Sequence, residues 1–202
     1  MKNATKTRKL VTSALMVALG TVLSIISIPL PFGGSVTLGA MVPLVIVGQL
    51  YGMGWGFFAS TVYGILQLVL GLDNFAYATT LAAVIIIILF DYVVAYAAMG
   101  FSASTYKMKN KAVSAGLGAV IGCFARFWLH FVSGAFVWGE WADVTALPTF
   151  LQDSFLANED WLIYSYSFFY NLSYMLPETI LTAIAAAVIC PLLYKKGLAK
   201  NN

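Results

Sequence analysis

Six long apolar runs dominate this chain and restrict it to structures that a lipid bilayer allows. A helix needs about 20 apolar residues to cross the bilayer, whose core offers no water to unbonded backbone groups. The runs therefore predict an all-α membrane protein, a bundle of six transmembrane helices. The second and third runs are short for a span, which indicates tilt, kinks or burial by neighbouring helices. The predicted spans cover residues 10–28, 36–50, 55–70, 78–101, 112–137 and 163–193.

The composition agrees with a chain that is embedded in lipid over its whole length. Of the 202 residues, 61% are hydrophobic and 9% are charged, whereas soluble domains carry about 25% charged residues. We therefore expect one integral membrane domain over residues 1–202, without a separate soluble domain. The first apolar run lacks a small-residue cleavage site and leads into further spans, so it is predicted to be a retained helix and not a removed signal peptide.

The lysines and arginines predict the orientation of the bundle. Ten of the eleven precede the first span, lie between the fourth and fifth spans, or follow the sixth. With six spans, all ten fall on one side, which the positive-inside rule makes the cytoplasmic side, so both termini are predicted to be cytoplasmic. The loop over residues 138–162 holds acids without lysine or arginine and is predicted to lie outside. The net charge of +3 thus reflects membrane flanks and does not indicate a nucleic-acid partner.

Five polar side chains inside the predicted spans mark a candidate site. A polar group in hydrocarbon costs several kcal/mol unless it is satisfied, so such residues usually serve a function. At about 1.5 Å per helical residue, three of them reach similar depths in the outer half of the membrane and the other two lie deeper. The outer three are Asp91, His130 and Asn171, and the deeper two are Arg126 and Glu178. Arg126 and His130 are four residues apart and therefore share one helix face.

Each of these residues also has a purely structural interpretation. Trp138, at the outer end of the fifth span, is suited either to cover the candidate site or to belong to an interfacial aromatic belt. His130 alone suits a core histidine whose hydrogen bonds are satisfied, and Asn171 alone suits a hydrogen bond between helices. For Arg126 and Glu178, a structural ion pair is favoured over ligand contact. Asp91 is the hardest to explain structurally, since a carboxylate within a span needs a partner. Together the carboxylate, imidazole, amide and nearby tyrosines suit a ligand with a cationic aromatic ring and hydrogen-bonding edges.

Other features of the sequence limit the chemistry. The two cysteines, Cys123 and Cys190, fall inside apolar runs and are expected to be small core residues, since the sequence supplies no partners for a metal site. There is no H-E-x-x-H and no G-x-S-x-G, so an intramembrane enzyme is disfavoured and no catalytic residue is assigned. There is also no G-x-x-x-x-G-K-[ST] phosphate loop, so ATP hydrolysis would require another chain.

The first span carries a pattern of small residues. Ala14 and Ala18 are four residues apart, an arrangement that lets another helix approach closely. The alternative interpretation is ordinary packing inside the bundle, because alanine is frequent in apolar helices.

The motifs around the polar residues resemble those of a known family. The whole chain resembles the substrate-binding S components of energy-coupling-factor (ECF) vitamin transporters, and specifically the thiamine-specific S components. The matching segments are Gly33-Gly34-Ser35-Val36, Phe90-Asp91-Tyr92-Val93-Val94-Ala95, Arg126-Phe127-x-x-His130-x-x-Ser133-Gly134 and Tyr166-Ser167-x-x-Tyr170-Asn171-x-x-Tyr174-Met175-x-Pro177.

The resemblance implies a function and a set of site residues. It implies a six-helix bundle in the bacterial plasma membrane that captures thiamine from outside in a closed pocket, without a cofactor. It also implies partners, namely a transmembrane coupling protein, docked at Ala14 and Ala18, and two ATPase subunits. The pocket positions implied by the family are Asp91, Tyr92, His130, Trp138, Tyr166 and Asn171.

Two alternative transport functions stay open at this point. Asp91, His130 and Glu178 would also suit the proton relay of a stand-alone carrier. The lack of a visible internal repeat argues mildly against such a carrier. Within the S components, riboflavin is the nearest rival ligand.

Overall fold

The computed structural model describes residues 5–30, 34–141, 144–146, 149, 152–153 and 159–196. Almost all of these residues are helical, and five helices in the described part are long and apolar enough to cross a membrane. A sixth apolar helix, α2, is shorter. In chain order the helices are α1 (Lys6–Ile25), α2 (Val42–Tyr51), α3 (Met53–Leu70), α4 (Leu81–Thr105), α5 (Lys111–Phe136) and α6 (Glu159–Lys195).

A small β-hairpin replaces the predicted helical ends between the first two spans. Helix α1 ends at Ile25, and strand β1 (Ser27–Pro29) pairs antiparallel with strand β2 (Ser35–Thr37). The second span was predicted to begin at about residue 36, whereas the helix of this segment begins at Val42. Pro43 lies in the first turn of α2, where its missing N–H costs no hydrogen bond.

Helix α2 forms the centre of the bundle. Nine of its ten residues are buried, although the helix is only about 15 Å long. Its apolar side chains belong to two buried clusters, a larger one with residues of α1, α3, α4, α5 and α6 and a smaller one with residues of α1 and α6. Of the explanations offered for the short second run, burial by neighbouring helices therefore applies to α2. Both Cys123 and Cys190 are buried and free in this bundle, as expected of small core residues.

A buried polar cluster fixes the end of the bundle that is opposite the hairpin. The side chain of Gln49 is fully buried, and its amide nitrogen donates to the Ser102 carbonyl oxygen at 2.6 Å and to Thr105 Oγ1 at 2.9 Å. Ser114 Oγ in turn donates to Gln49 Oε1 at 2.7 Å. These bonds join α2, α4 and α5, and they satisfy groups that would be costly if left unbonded.

Helix α4 changes its winding where it carries the candidate acid. Residues Ile87–Val93 are wound as a π-helix, and Ala98–Thr105 tighten into a 3₁₀-helix. Short π segments inside helices are frequent at functional sites, because the wider turn redirects side chains. Asp91 and Tyr92 both belong to the π segment.

The last two helices pack against each other over most of their length. Helix α6 runs without interruption for 37 residues, about 55 Å, which exceeds the thickness of the hydrocarbon core. Within this contact a Cβ atom on Gly134 would overlap the Ser167 hydroxyl, so glycine permits this close approach. Of the predicted outer loop 138–162, the described residues include two 3₁₀ turns, Trp138–Trp141 and Val144–Ala146.

Candidate ligand-binding site

A half-open cavity of about 570 Å³ lies beside the β-hairpin. Its walls come from α1, β2, the start of α2, α3 and the turn after it, and α4 to α6. The volume is within the range of about 300–1,000 Å³ that is typical of small-molecule sites. All six side chains predicted from the sequence line this cavity, and their role as ligand contacts stays a prediction. They are Asp91, Tyr92, His130, Trp138, Tyr166 and Asn171.

Asp91 faces the cavity between Trp138 and His130, one beside each of its carboxylate oxygens. Trp138 Nε1 donates to Asp91 Oδ2 at 2.9 Å, and His130 Nδ1 lies 3.5 Å from Asp91 Oδ1. Trp138 follows the end of α5, and its ring packs at 5.5 Å against the ring of Tyr77. The Trp138 indole therefore contacts the wall of the cavity, and membership of an aromatic belt does not fully describe it.

His130 connects Asp91 to the deeper ion pair. Arg126 Nε donates a hydrogen bond to His130 Nε2 at 3.2 Å. A ring nitrogen that accepts a hydrogen bond carries no proton, so this geometry corresponds to a neutral imidazole whose proton lies on Nδ1, facing Asp91. The spacing of four residues in α5 thus places both side chains on the cavity wall, as the sequence predicted.

Arg126 and Glu178 form a buried ion pair, the interpretation favoured from the sequence. Arg126 Nη1 lies 3.0 Å from Glu178 Oε2, and the two side chains are 6% and 4% exposed. Arg126 Nη2 donates to the Tyr96 hydroxyl at 3.3 Å, and the guanidinium lies 4.6 Å from the centre of the same ring. Thr37 of β2 donates its hydroxyl to Glu178 Oε1. The pair also lines the cavity, so its structural role does not remove it from the site.

The charges of the cavity do not cancel. Among the described lining residues, the charged groups are two carboxylates and one guanidinium, and His130 is neutral in this geometry. Glu178 compensates Arg126, which leaves the charge of Asp91 without a cationic partner in contact. In a cavity partly shielded from water, one net negative charge favours a ligand with a single positive charge.

The Asn171 side chain forms hydrogen bonds within α6 and across to α5. Its side-chain nitrogen donates to the Ser167 carbonyl oxygen at 2.8 Å and to the His130 carbonyl oxygen at 3.4 Å. Its Oδ1 accepts from the Tyr174 hydroxyl at 2.7 Å. Asn171 therefore links α5 to α6, as the structural interpretation supposed, and it borders the cavity at the same time.

The two predicted tyrosines have different contacts within the protein. The Tyr92 hydroxyl donates to the Gly71 carbonyl oxygen at 3.1 Å and accepts from Asn74 Nδ2 at 2.6 Å. Because the turn after α3 engages that hydroxyl, Tyr92 offers chiefly its ring to a ligand. Tyr166 stacks on Tyr170, with ring centres 5.9 Å apart and planes inclined by 19°.

One wall of the cavity was not predicted from the sequence. Ser24 of α1, Thr37 of β2, and Tyr63 and Gln67 of α3 also line it. Gln67 Nε2 donates to Ser24 Oγ at 2.8 Å, which joins α1 to α3. The available signal was Gln67, an amide within an apolar run, which has the same unusual polarity as Asn171.

Ala14 and Ala18 lie away from this cavity, on the outer surface of the bundle. Both side chains are exposed, and they line an apolar groove of about 320 Å³ between α1 and α3. The opposite side of the groove is formed by Phe58, Val62 and Leu66. This placement differs from packing inside the bundle, which was the alternative interpretation of the alanine pattern.

Comparison with known proteins identifies the family. A sequence profile of the thiamine transporter protein family matches residues 10–197. The chain belongs to this family. Membership confirms the resemblance read from the motifs. Together with the apolar helices, it makes the chain a multi-pass protein of the bacterial plasma membrane.

Individual members of the thiamine transporter family are similar to the chain in sequence and in fold. Thiamine transporter ThiT of Bacillus subtilis is 29% identical over 194 residues, which cover 90% of this chain and 89% of that protein. Thiamine transporter ThiT of Lacticaseibacillus paracasei is 26% identical over 113 residues, 50% of this chain and 54% of that protein. The solved structure of ThiT from Listeria monocytogenes superimposes with a TM-score of 0.69 at 22% identity, covering 93% and 95% of the two chains. This last match shows a shared fold.

Proposed function

We propose that this chain captures thiamine from outside the cell as the substrate-binding subunit of an ECF-type, ATP-driven importer. The observation that carries the proposal is the single uncompensated charge of Asp91 within a cavity walled by aromatic rings and hydrogen-bonding groups. Thiamine matches this arrangement, because it has one permanent positive charge on its thiazolium ring and a neutral aminopyrimidine with polar edges. Membership of the thiamine transporter family supports the same ligand.

The walls of the cavity suit the two rings of thiamine. A cation within about 6 Å of an aromatic face is stabilised by the ring quadrupole, most strongly over tryptophan. Trp138 and Tyr92 supply such faces beside Asp91, and Asn171 and Tyr166 offer polar edges and rings from α6. Asp91, Tyr92, His130, Trp138, Tyr166 and Asn171 are therefore proposed as the thiamine contacts.

We further propose one membrane domain over residues 1–202 with six crossings and both termini in the cytoplasm. Five helices are long enough to cross the membrane, and we assign the shorter α2 as the remaining crossing. Its burial supports this assignment, since the neighbouring helices shield a helix that is too short to span the bilayer alone. In this orientation the β-hairpin and Trp138 face the exterior. The cavity then opens on the side from which thiamine arrives.

The groove beside Ala14 and Ala18 is proposed as the contact with the transmembrane coupling protein. Small residues let helices of two membrane proteins approach closely and gain van der Waals contact. The groove is apolar and lies on the bundle surface, where a helix of another chain can reach it. Two ATPase subunits would supply the energy, because this sequence has no phosphate-binding loop of its own.

Two measurements test the proposal. Native mass spectrometry of the purified chain should detect co-purified thiamine, and titration should show one thiamine per chain; absence of thiamine binding would overturn the proposal. In liposomes, the chain alone should not take up thiamine under a proton gradient. Uptake under those conditions would support the stand-alone carrier, and preferential binding of riboflavin would support an S component for that vitamin.

A further inference from the structure

We infer that Glu178 sets the charge selectivity of the cavity by neutralising Arg126, so that the site binds thiamine in preference to its phosphate esters. The inference rests on the proposed thiamine site and concerns which form of the ligand it accepts. It makes Glu178 a specificity-determining residue that acts through Arg126, in addition to its structural role in the ion pair.

Arg126 by itself would favour an anion in the cavity. A guanidinium is the side-chain group best matched to phosphate, because its planar donors pair with two oxygens at once. Arg126 lines the cavity, within reach of a bound molecule. In this structure its Nη1 is directed at Glu178 Oε2, while Nε and Nη2 donate to His130 and Tyr96. Each of the three guanidinium nitrogens therefore already has a partner within the protein, and the carboxylate of Glu178 offsets the charge that would attract a phosphate.

Burial makes the compensation effective. Both side chains of the pair are almost fully enclosed, so water screens their charges weakly and each charge acts across the cavity. Glu178 is fixed in place by the hydroxyl of Thr37 from β2 at its other oxygen. With Asp91, the cavity presents one net negative charge, which matches thiamine. A phosphate ester adds a charge of about −1.5 to −2 to the ligand near pH 7, and this charge would face two carboxylates.

The inference predicts opposite effects for the two halves of the ion pair. Glu178→Gln preserves the side-chain shape, brings the net charge of the cavity to zero and frees Arg126 to meet an anion. The affinity for thiamine monophosphate relative to thiamine should then rise by about tenfold or more. Arg126→Gln makes the cavity more negative, so the same ratio should fall. The double variant, Arg126→Gln with Glu178→Gln, restores one net negative charge and should return the ratio toward that of the wild type.

The test is titration of the detergent-purified full chain with thiamine and with thiamine monophosphate, for the wild type and the three variants. Thermal unfolding and size-exclusion chromatography establish that each variant is folded. If Glu178→Gln does not fold, Arg126→Gln and the double variant carry the test, since they predict a lower and a near-normal ratio. A ratio that Glu178→Gln leaves unchanged, or that Arg126→Gln does not lower, overturns the inference. So does a double variant that keeps a clearly shifted ratio.

The two proposals fail in different ways. A wild-type chain that does not bind thiamine overturns the thiamine site itself. A wild-type chain that binds thiamine, with variants whose ratio does not follow the charge, overturns only the role of Glu178. A general structural weakening would lower both affinities together and leave their ratio unchanged.

Discussion

The indole nitrogen of Trp138 lies 2.9 Å from Asp91 Oδ2 and joins the end of α5 to the π segment of α4. This hydrogen bond gives the carboxylate a fixed direction. Because its other oxygen faces the neutral His130 ring, the negative charge of Asp91 is oriented without being cancelled. A site of this kind can neutralise a cation without first breaking an ion pair.

Removing the charge of Asp91 should weaken thiamine binding. We expect Asp91→Asn to raise the Kd by about tenfold or more, a loss of about 1.4 kcal/mol or greater, because the single uncompensated charge of the cavity is gone. Tryptophan-fluorescence titration of the purified chain measures the effect. Asp73→Asn is the matched control, since Asp73 is exposed and does not line the cavity. Unchanged affinity in Asp91→Asn would refute the role assigned to this carboxylate.

The hydrogen bond from Trp138 should contribute separately from its ring. Trp138→Phe keeps an aromatic face but removes the N–H group that donates to Asp91. We expect a rise in Kd of about threefold to tenfold, and a larger rise for Trp138→Ala, as measured by isothermal titration calorimetry. Trp128→Phe, in a half-exposed residue outside the cavity, should leave the Kd unchanged. Equal losses in Trp138→Phe and Trp138→Ala would assign the whole effect to the N–H group.

The ionisable residues of the site could be found from the sequence, because hydrocarbon makes them conspicuous. Asp91, Arg126, His130 and Glu178 stand out as charged or titratable groups in apolar runs, and helical spacing already placed Arg126 and His130 on one face. The contacts between these side chains could not be predicted in the same way. The distances depend on how helices distant in sequence pack against each other.

Two local features escaped the sequence for physical reasons. The π winding of Ile87–Val93, the segment that contains Asp91, has no residue signature, since the same apolar residues also form an ordinary α-helix. The wall formed by α1 and α3 was missed because a hydroxyl inside a span often bonds only to its own backbone. Ser24 does this with the Thr21 carbonyl oxygen at 2.7 Å, but it also accepts from Gln67.

The groove on α1 should affect transport without affecting binding. Ala14→Trp or Ala18→Trp fills the groove, so a partner helix cannot approach, while the thiamine cavity lies elsewhere in the bundle. We expect an unchanged Kd in the isolated chain and loss of uptake by the assembled transporter in vesicles. Leu15→Trp is the control, because Leu15 is exposed but does not line the groove, and uptake should persist. Equal loss of binding in the alanine variants would mean that these residues serve packing within the bundle.

The close approach of α5 and α6 at Gly134 should be sensitive to a single methyl group. A Cβ atom there would overlap the Ser167 hydroxyl, whose donor bond to the Phe131 carbonyl oxygen, 2.8 Å long, fixes its position. We expect Gly134→Ala to destabilise the chain by about 1–3 kcal/mol and to weaken thiamine binding, since Asn171 borders the same contact. Thermal unfolding in detergent and calorimetric titration measure the two effects.

A second glycine on the same helix provides the comparison. A Cβ atom on Gly116 would have its nearest neighbour, the Cβ of Ala187, at an ordinary 3.5 Å. Gly116→Ala should therefore leave stability unchanged or raise it by up to about 1 kcal/mol, because alanine favours the helix over glycine. Removing the Ser167 hydroxyl in Gly134→Ala with Ser167→Ala should recover part of the loss. If Gly134→Ala were as stable as Gly116→Ala, the contact between α5 and α6 would have room to spare, and glycine would not be what brings His130 and Asn171 to the same cavity.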